Sequence, residues 1–264
     1  LPIPNLMRIM NPLGEDQSVM RTSMLPGLLG SLAHNQSHKV PECMLFETGR
    51  VFLTGQKPEA LTELPEEPLR MGLGWYGGGA DFYRLKGMAE LLLDELGLTD
   101  AAFEKTVHPS FHPGRCASIV LGQDNVGVIG ELHPECVERN ELSGRVYAWE
   151  MDLTAVLGSA RTERTYAPLP KYPAVERDLA IVLDKDIPAA KVKEIICREG
   201  GEYLASAELF DVYQGAQVPE GHRSLAYSLA YRAGDRTLTD EEINPIQEAI
   251  IEGLAKELDA RLRA

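Results

Sequence analysis

A proline-rich segment, APLPKYP at 167–173, limits how the rest of this 264-residue chain can fold. It places three prolines in six positions, and each proline lacks the amide hydrogen that helices and sheet ladders need. The segment therefore predicts a connection between two domains, which also suits the length of the chain. We expect a first domain over residues 1–165, a linker over 166–170 and a second domain over 171–264.

The second domain shows the order of its elements most clearly. Its predicted strand at 224–231 alternates leucine and tyrosine with small residues, as a half-buried strand does. Thr239 and Glu242 have the spacing of a capping box, and a long helix with an apolar stripe follows them. The predicted order is β-α-β-β-α-β, the ferredoxin-like arrangement. The predicted elements are strands at 178–183, 207–213 and 224–231, helices after Pro188 and Thr239, and a short strand near Arg261.

The first domain contains more candidate strands than helices, and the helices do not alternate regularly with the strands. This pattern favours an α+β chain with an antiparallel sheet flanked by helices over a doubly wound parallel sheet. One amphipathic helix, closed by Gly97, has its apolar face at Leu85, Met88, Ala89, Leu92 and Leu96. The candidate strands cover 44–52, 69–76, 117–121, 126–132 and 146–153, and 55–68 is a predicted surface loop.

The sequence GLGWYG at 72–77 fits G-x-G-x-x-G, the pattern that binds a dinucleotide pyrophosphate. The pattern has weight only where a helix begins at the glycines. Here Gly-Gly-Ala-Asp-Phe follows, which is a poor helix start, and the next helix is expected to begin near Arg84. We therefore predict a strand with turn glycines, and we keep a stand-alone nucleotide-binding enzyme as an alternative hypothesis.

Histidines and cysteines at suggestive spacings raise the question of a metal site. His34 and His38 have helical ligand spacing, but Pro109 and Pro113 exclude a helix through the second histidine pair. No C-x-x-C occurs, so polar loop histidines are the better interpretation, and no two acidic residues stand out as an acid–base pair. The candidate metal ligands are His34, His38, His108, His112, Cys116, His133 and Cys136.

The apolar runs and the cysteines indicate the cellular compartment of the protein. No apolar run approaches the roughly 20 residues that a membrane-spanning helix needs. The start, LPIPN, has neither the basic nor the apolar region of a signal peptide. Four scattered cysteines suit free thiols in a reducing compartment. We therefore expect a cytoplasmic protein without membrane contact.

The net charge of −14 disfavours broad nucleic-acid binding, which depends on lysine and arginine neutralising phosphates. Residues 170–264 carry 12 basic and 18 acidic residues, a net charge of −6, so an RNA-binding surface there must be local. Tyr227 and Tyr231 could stack on bases, although core packing explains the same alternation. The basic residues near the predicted strand ends are Lys171, Arg177, Arg223, Arg232 and Arg236.

Several longer stretches together resemble the β subunits of bacterial phenylalanyl-tRNA synthetases. The resemblance begins with NPLGEDQSVMRTSMLPGLL at 11–29 and LFETGRVF at 45–52 in the first domain, and with YPAVERDLA at 172–180 in the second. It continues in DFYRLKGMAE at 81–90, HPGR at 112–115, VIGELHP at 128–134, LFDVYQG at 209–215, VPEGHRSLA at 218–226 and RTLTDEE at 236–242. It therefore covers nearly the whole chain.

This resemblance implies an (αβ)₂ assembly that joins phenylalanine to its tRNA with ATP and Mg²⁺, with the active site in the α subunit. Residues 1–165 resemble the catalytic-like domain, built on the antiparallel sheet of class II synthetases, and residues 171–264 resemble the ferredoxin-fold anticodon-binding domain. The implied partners are the α subunit and tRNA(Phe). The residues expected to contact tRNA are Lys171, Arg177, Arg223, Tyr231, Arg232 and Arg236.

The first domain departs from the class II pattern at the arginines that hold the α-phosphate. By resemblance, GRVFL at 49–53 begins motif 2, and Leu53 stands where the arginine is expected. No G-x-G-x-x-R follows Trp149, and an apolar side chain cannot replace a bidentate clamp. We therefore expect no catalysis and no bound cofactor in this segment, with Arg50 as the nearest substitute in a shifted register. An interaction module without RNA binding is the other alternative.

Overall fold

The computed structural model of the chain describes residues 6–54, 64–161, 163, 166, 168–215 and 217–263. The chain forms two compact units, Leu1–Thr165 and Tyr166–Ala264. Most of the predicted loop at 55–68 lies outside the described residues, as do Ala167 of the proline-rich segment and the LPIPN start. No helix in the described part of the chain is long and apolar enough to cross a membrane.

The first unit is built on an antiparallel sheet, as predicted. Within the described residues this sheet has six strands in the order β1-β2-β6-β5-β4-β3. The strands are β1 Cys43–Arg50, β2 Leu69–Tyr76, β3 Ala102–Lys105, β4 Phe111–Leu121, β5 Asp124–Leu132 and β6 Val146–Asp152. The helices are α1 Leu25–Ser37, α2 Phe82–Glu95, α3 Pro134–Arg139 and α4 Leu153–Ser159.

Two parts of this sheet were missed by the sequence patterns. Strand β3 has only four residues, too few for a readable alternation. Strand β4 begins at Phe111 rather than at 117, and so runs through Pro113 and Gly114. Its pairing with β5 shifts register between Phe111 and Cys116, which is how a strand accommodates residues that break regular pairing.

Helices cover both faces of the sheet. Asp81 caps the start of α2 by accepting a hydrogen bond from the Arg84 amide at 2.8 Å. The buried side chains of α2, Leu85 among them, pack on Trp75 and Trp149. Helix α1 lies on the opposite face, where its buried leucines pack against the other side of β2 and β6. The sheet therefore has two apolar cores.

The structure explains the glycines of GLGWYG by packing. A Cβ at Gly72 would lie 2.7 Å from Leu28 Cδ1, and one at Gly74 would lie 2.8 Å from Leu32 Cδ1. Because both residues lack a side chain, α1 can pack closely on β2. Gly77 has a φ of +73°, which favours glycine. The next helix after these glycines, α2, begins only at Phe82. The predicted strand with turn glycines is confirmed.

The second unit has the predicted β-α-β-β-α-β order. Its elements are β7 Val175–Asp184, α5 Ala189–Gly200, β8 Leu204–Tyr213, β9 His222–Tyr231, α6 Asp240–Leu258 and β10 Arg261–Leu262. The antiparallel sheet, in the order β10-β7-β9-β8, is covered on one face by α5 and α6. Thr239 and Glu242 form the predicted capping box, and Pro188 lies just before α5 as its N-cap.

Candidate nucleic-acid interface

Five of the six residues expected to contact tRNA, four of them basic, lie around one end of the second sheet. Val175, the first residue of β7, pairs with Tyr231, the last residue of β9. We call this the Tyr231 end. Lys171 precedes β7, Arg177 lies near its start, Arg232 directly follows β9, and Arg236 lies four residues further on. The antiparallel register thus brings together basic residues that are up to 65 positions apart in the sequence.

Arg223 lies at the opposite end of the sheet, contrary to the single patch that the sequence suggested. It pairs with Leu183 near the end of β7. Arg232 lies nine positions further along the chain, which in a strand is a distance of about 30 Å. Its Nη2 donates a hydrogen bond to the Ile187 carbonyl at 2.6 Å. Arg223 therefore holds the turn before α5 and does not belong to the same surface as Arg232.

Tyr231 is the second correction, since it does not present its ring to solvent. It is 0% exposed and belongs to the core that α5 and α6 form with β9. Burial raises the pKa of its hydroxyl, while the nearby Arg177 acts in the other direction. A base cannot stack on this ring without unfolding the core, so core packing accounts for the Leu/Tyr alternation.

The basic residues at the Tyr231 end differ in how far acidic neighbours compensate their charge. Arg177 forms an ion pair with Asp240 at the start of α6. Arg236 donates to Glu242 at 2.7 Å and to Asp235 at 3.0 Å, and its guanidinium holds the pKa of Glu242 below the usual range. These two arginines therefore offer a reduced net charge to a phosphate.

Arg232 and Lys171 have the more available charges. Neither forms an ion pair with another residue that the structure describes. Arg232 is half-buried, and its Nε has no hydrogen-bond partner in the described part of the chain. Lys171 is exposed. A phosphate at this end would therefore find its strongest counter-charge at these two residues.

The open face of the sheet is acidic. Leu179 and Ile181 point towards the helices, so the alternate residues of β7 point to the uncovered face. The exposed acids on that face are Glu176 and Asp178 of β7 and Glu208 and Asp211 of β8. Because these carboxylates repel phosphates, the open face of the sheet disfavours contact with a nucleic acid.

The first unit has no phosphate clamp at the expected position. Leu53 forms an isolated bridge with Glu66. Arg50, the suggested substitute, donates from Nη1 to the Glu67 carbonyl at 2.8 Å and so has a structural partner. The residues in the place of the class II clamps therefore do not fit a triphosphate.

The histidines and cysteines do not converge. His34 near the end of α1 and His38, its C-cap residue, have tilted rings with centroids 4.3 Å apart, and His112 lies on β4 and not on a helix. Within the described residues, no group of three or more His, Cys, Asp or Glu side chains could hold a metal ion. Burial raises the pKa of the Cys116 thiol to about 11, so this thiol stays protonated at neutral pH.

Comparison with known proteins places both units. Residues 3–153 match the family model described as phenylalanyl tRNA synthetase beta chain CLM domain, and residues 170–263 match the ferredoxin-fold anticodon binding domain. A phenylalanine–tRNA ligase beta subunit of Symbiobacterium thermophilum is 44% identical over 100% of this chain and 30% of its own length. The corresponding proteins of Moorella thermoacetica and Clostridium tetani are 44% and 38% identical over 99% and 98% of the chain.

The chain spans about a third of the length of these relatives, between 30% and 33%. The first family model alone covers more than half of the chain, and the second covers nearly all of the second unit. The two matched segments fall within the two compact units of the structure. The chain belongs to the β-subunit family of phenylalanine–tRNA ligases.

Proposed function

We propose that this chain is the structural and tRNA-binding portion of a phenylalanine–tRNA ligase β subunit. In this proposal the first unit supports assembly with the catalytic α subunit in an (αβ)₂ enzyme of the cytoplasm. The second unit binds the anticodon region of tRNA(Phe), while the whole enzyme uses ATP and Mg²⁺. The observation that carries the proposal is the ferredoxin-fold anticodon-binding match, combined with basic residues gathered at the Tyr231 end.

The binding step is expected to rest on the uncompensated charges. Lys171 and Arg232 would pair with phosphates, and Arg177 and Arg236 would contribute less because Asp240 and Glu242 already hold them. The acidic open face would keep the RNA from lying flat on the sheet.

Charge reversal at the Tyr231 end should weaken tRNA binding. We expect Arg232→Glu to weaken the affinity for tRNA(Phe) about tenfold and to reduce the slope of log affinity against log salt by about 1. Lys185→Glu makes the same charge change at the other end of the sheet, beside Asp184, and should leave affinity and slope nearly unchanged. Arg223→Gln, also at that end, should behave like Lys185→Glu. Fluorescence anisotropy with labelled tRNA over a salt series measures all three variants.

Equal effects of Arg232→Glu and Lys185→Glu would show that the Tyr231 end is not the contact surface. No binding of tRNA to the unmodified chain at low salt would favour the interaction module without RNA contact. The acidic open face and the net charge of −14 are the observations on the side of that second candidate.

The first unit should not form an adenylate. The isolated chain is expected to show no phenylalanine-dependent ATP–pyrophosphate exchange, because Leu53 replaces a clamp arginine and Arg50 is held by the Glu67 carbonyl. The same assay after addition of the α subunit provides the positive control. Exchange by the chain alone would overturn the assignment of catalysis to α.

A further inference from the structure

A cleft of about 570 Å³ opens on the face of the first sheet that α1 covers. The N-terminal half of α1, strands β2, β5 and β6, and helix α3 form its walls. This volume is within the range of small-molecule sites, about 300–1,000 Å³. The cleft is lined by residues of the first unit and includes none of the residues proposed to bind tRNA.

A buried carboxylate is fixed in the wall of the cleft. The Glu150 side chain is only 6% exposed. Its Oε2 accepts hydrogen bonds from Ser23 Oγ at 2.6 Å and from the Met24 amide at 2.9 Å. Among the described residues the ion-pair partner of its Oε1 is Arg70, whose Nη1 is 3.7 Å away, beyond hydrogen-bond distance. Oε1 therefore keeps acceptor capacity at a depth where an unmet acceptor is costly.

The guanidinium beside this carboxylate also has donors to spare. Arg70 Nη2 lies 3.6 Å from Asp152 Oδ2, so neither acidic neighbour forms a close charge-assisted bond, which would be about 2.7–2.9 Å long. Its Nε is buried without a hydrogen-bond partner among the described residues. Arg70 thus lies between two carboxylates and still has N–H donors available to a ligand.

The charges of the cleft select for an ammonium group. Two carboxylates face one guanidinium, which leaves an excess of negative charge. Burial lowers the pKa of His108, with Glu150 acting against it, so His108 is neutral at pH 7 and does not balance this excess. A phosphate would be repelled by Glu150 and Asp152, whereas an ammonium would be attracted. The aliphatic walls are Leu25, Leu29, Val126 and Val128.

We propose that this cleft binds a small primary-ammonium compound that carries an oxygen acceptor on the adjacent carbon and an aliphatic chain. The ammonium is bound by Glu150 and Asp152, and the acceptor oxygen by Arg70. The chain packs against Leu25 and Val128. Free aliphatic α-amino acids and their amides share this chemistry, and the amides add no carboxylate to a cleft that is already negative.

The test compares L-leucinamide with N-acetyl-L-leucinamide on the 264-residue chain by isothermal calorimetry and ligand-observed NMR. The two probes differ only at the amine, which acetylation makes neutral. We expect L-leucinamide to saturate the chain with a millimolar or lower dissociation constant, and the acetylated probe to bind at least about tenfold more weakly. L-Leucine, tested in parallel, distinguishes free amino acids from their amides. If leucinamide does not bind, or if it binds no more tightly than its acetylated form, the proposal is wrong, and no protein variant is needed to show this.

Glu150→Gln locates the site. Glutamine keeps an acceptor for Ser23 and Met24 while removing the charge, so the fold should persist, and leucinamide binding should fall at least about tenfold. The matched control is Glu131→Gln, because Glu131 is equally buried, at 8% exposure, but its carboxylate is engaged by Arg115 at 2.9 and 3.0 Å. Equal affinities of the two variants would place the binding elsewhere and overturn the proposal. If Glu150→Gln fails to fold, Asp152→Asn, which retains the helix cap, serves the same comparison.

Discussion

Replacing Gly77 with alanine is expected to lower the free energy of unfolding of the first unit by about 2–5 kcal/mol. The residue has a φ of +73°, which costs a non-glycine residue about 1–2 kcal/mol. A Cβ would also lie 2.1 Å from the Pro41 carbonyl oxygen, a backbone atom that cannot move away as a side chain can. Both costs act on the folded state alone.

The measurement can be restricted to the first unit. The chain has two tryptophans, Trp75 and Trp149, and both are buried there. Denaturant unfolding followed by tryptophan fluorescence therefore reports on this unit without the other. Gly144→Ala is the matched control, since Gly144 has a φ of +75° but no atom near its Cβ position, and should cost only about 1–2 kcal/mol. Equal losses in the two variants would contradict the close approach of Pro41.

The same unfolding assay tests the nucleotide-binding alternative. A nucleotide at 100 times its dissociation constant would stabilise the unit by about 2.7 kcal/mol. We expect NAD, NADP and ATP to leave the free energy of unfolding unchanged, because Gly72 and Gly74 pack against α1 and Gly77 packs against the Pro41 carbonyl. A clear stabilisation would revive the interpretation of GLGWYG as a cofactor loop.

Truncation of Leu32 should have an effect of similar size. Leu32 is 0% exposed, and Leu32→Ala is expected to cost about 2–5 kcal/mol through lost burial and a cavity. Gly74→Ala should cost about 1 kcal/mol or more, since its Cβ would lie 2.8 Å from Leu32 Cδ1. In the double variant the new methyl group occupies part of the space that Leu32 leaves.

The double variant should therefore lose less stability than the sum of the single variants, by about 0.5–3 kcal/mol. Tryptophan fluorescence again gives the unfolding curves. Leu25→Ala with Gly74→Ala is the control pair. Leu25 is also a buried leucine of α1, but none of its atoms lies within 4 Å of the Gly74 Cβ position. Strict additivity in the Leu32 pair would mean that α1 does not rest on Gly74.

The periodic elements of both units could be predicted because local patterns encode them. The alternation in β9 and the capping box of α6 each depend on residues a few positions apart. Strand β3 and the first half of β4 could not be found, since one is too short and the other passes through Pro113 and Gly114. β3 is defined by its pairing with β4, and β4 by its pairing with β5, and not by their own composition.

The candidate sites were predictable only in part. Basic residues near strand ends were visible, but the sequence could not separate Arg223 from Arg232, because the antiparallel register decides which strand ends meet. Glu150 lies inside a predicted strand, where the strand pattern alone does not mark it as a site residue. A charged residue at a buried strand position indicates that it has a hydrogen-bond or ion-pair partner. The sequence does not show that these partners are Ser23, Met24 and Arg70.

The sequence by itself determined the β-subunit resemblance, the expected division into two domains and the order of elements in the second unit, since these depend on motifs and on neighbouring residues. The tertiary structure alone decided that Tyr231 is core, that the open sheet face is acidic and that Glu150, Arg70 and Asp152 share one cleft. Those facts depend on contacts between residues 80 or more positions apart or on which face of a sheet a side chain occupies. The packing of the folded chain determines these contacts and side-chain orientations, and local sequence patterns do not reveal them.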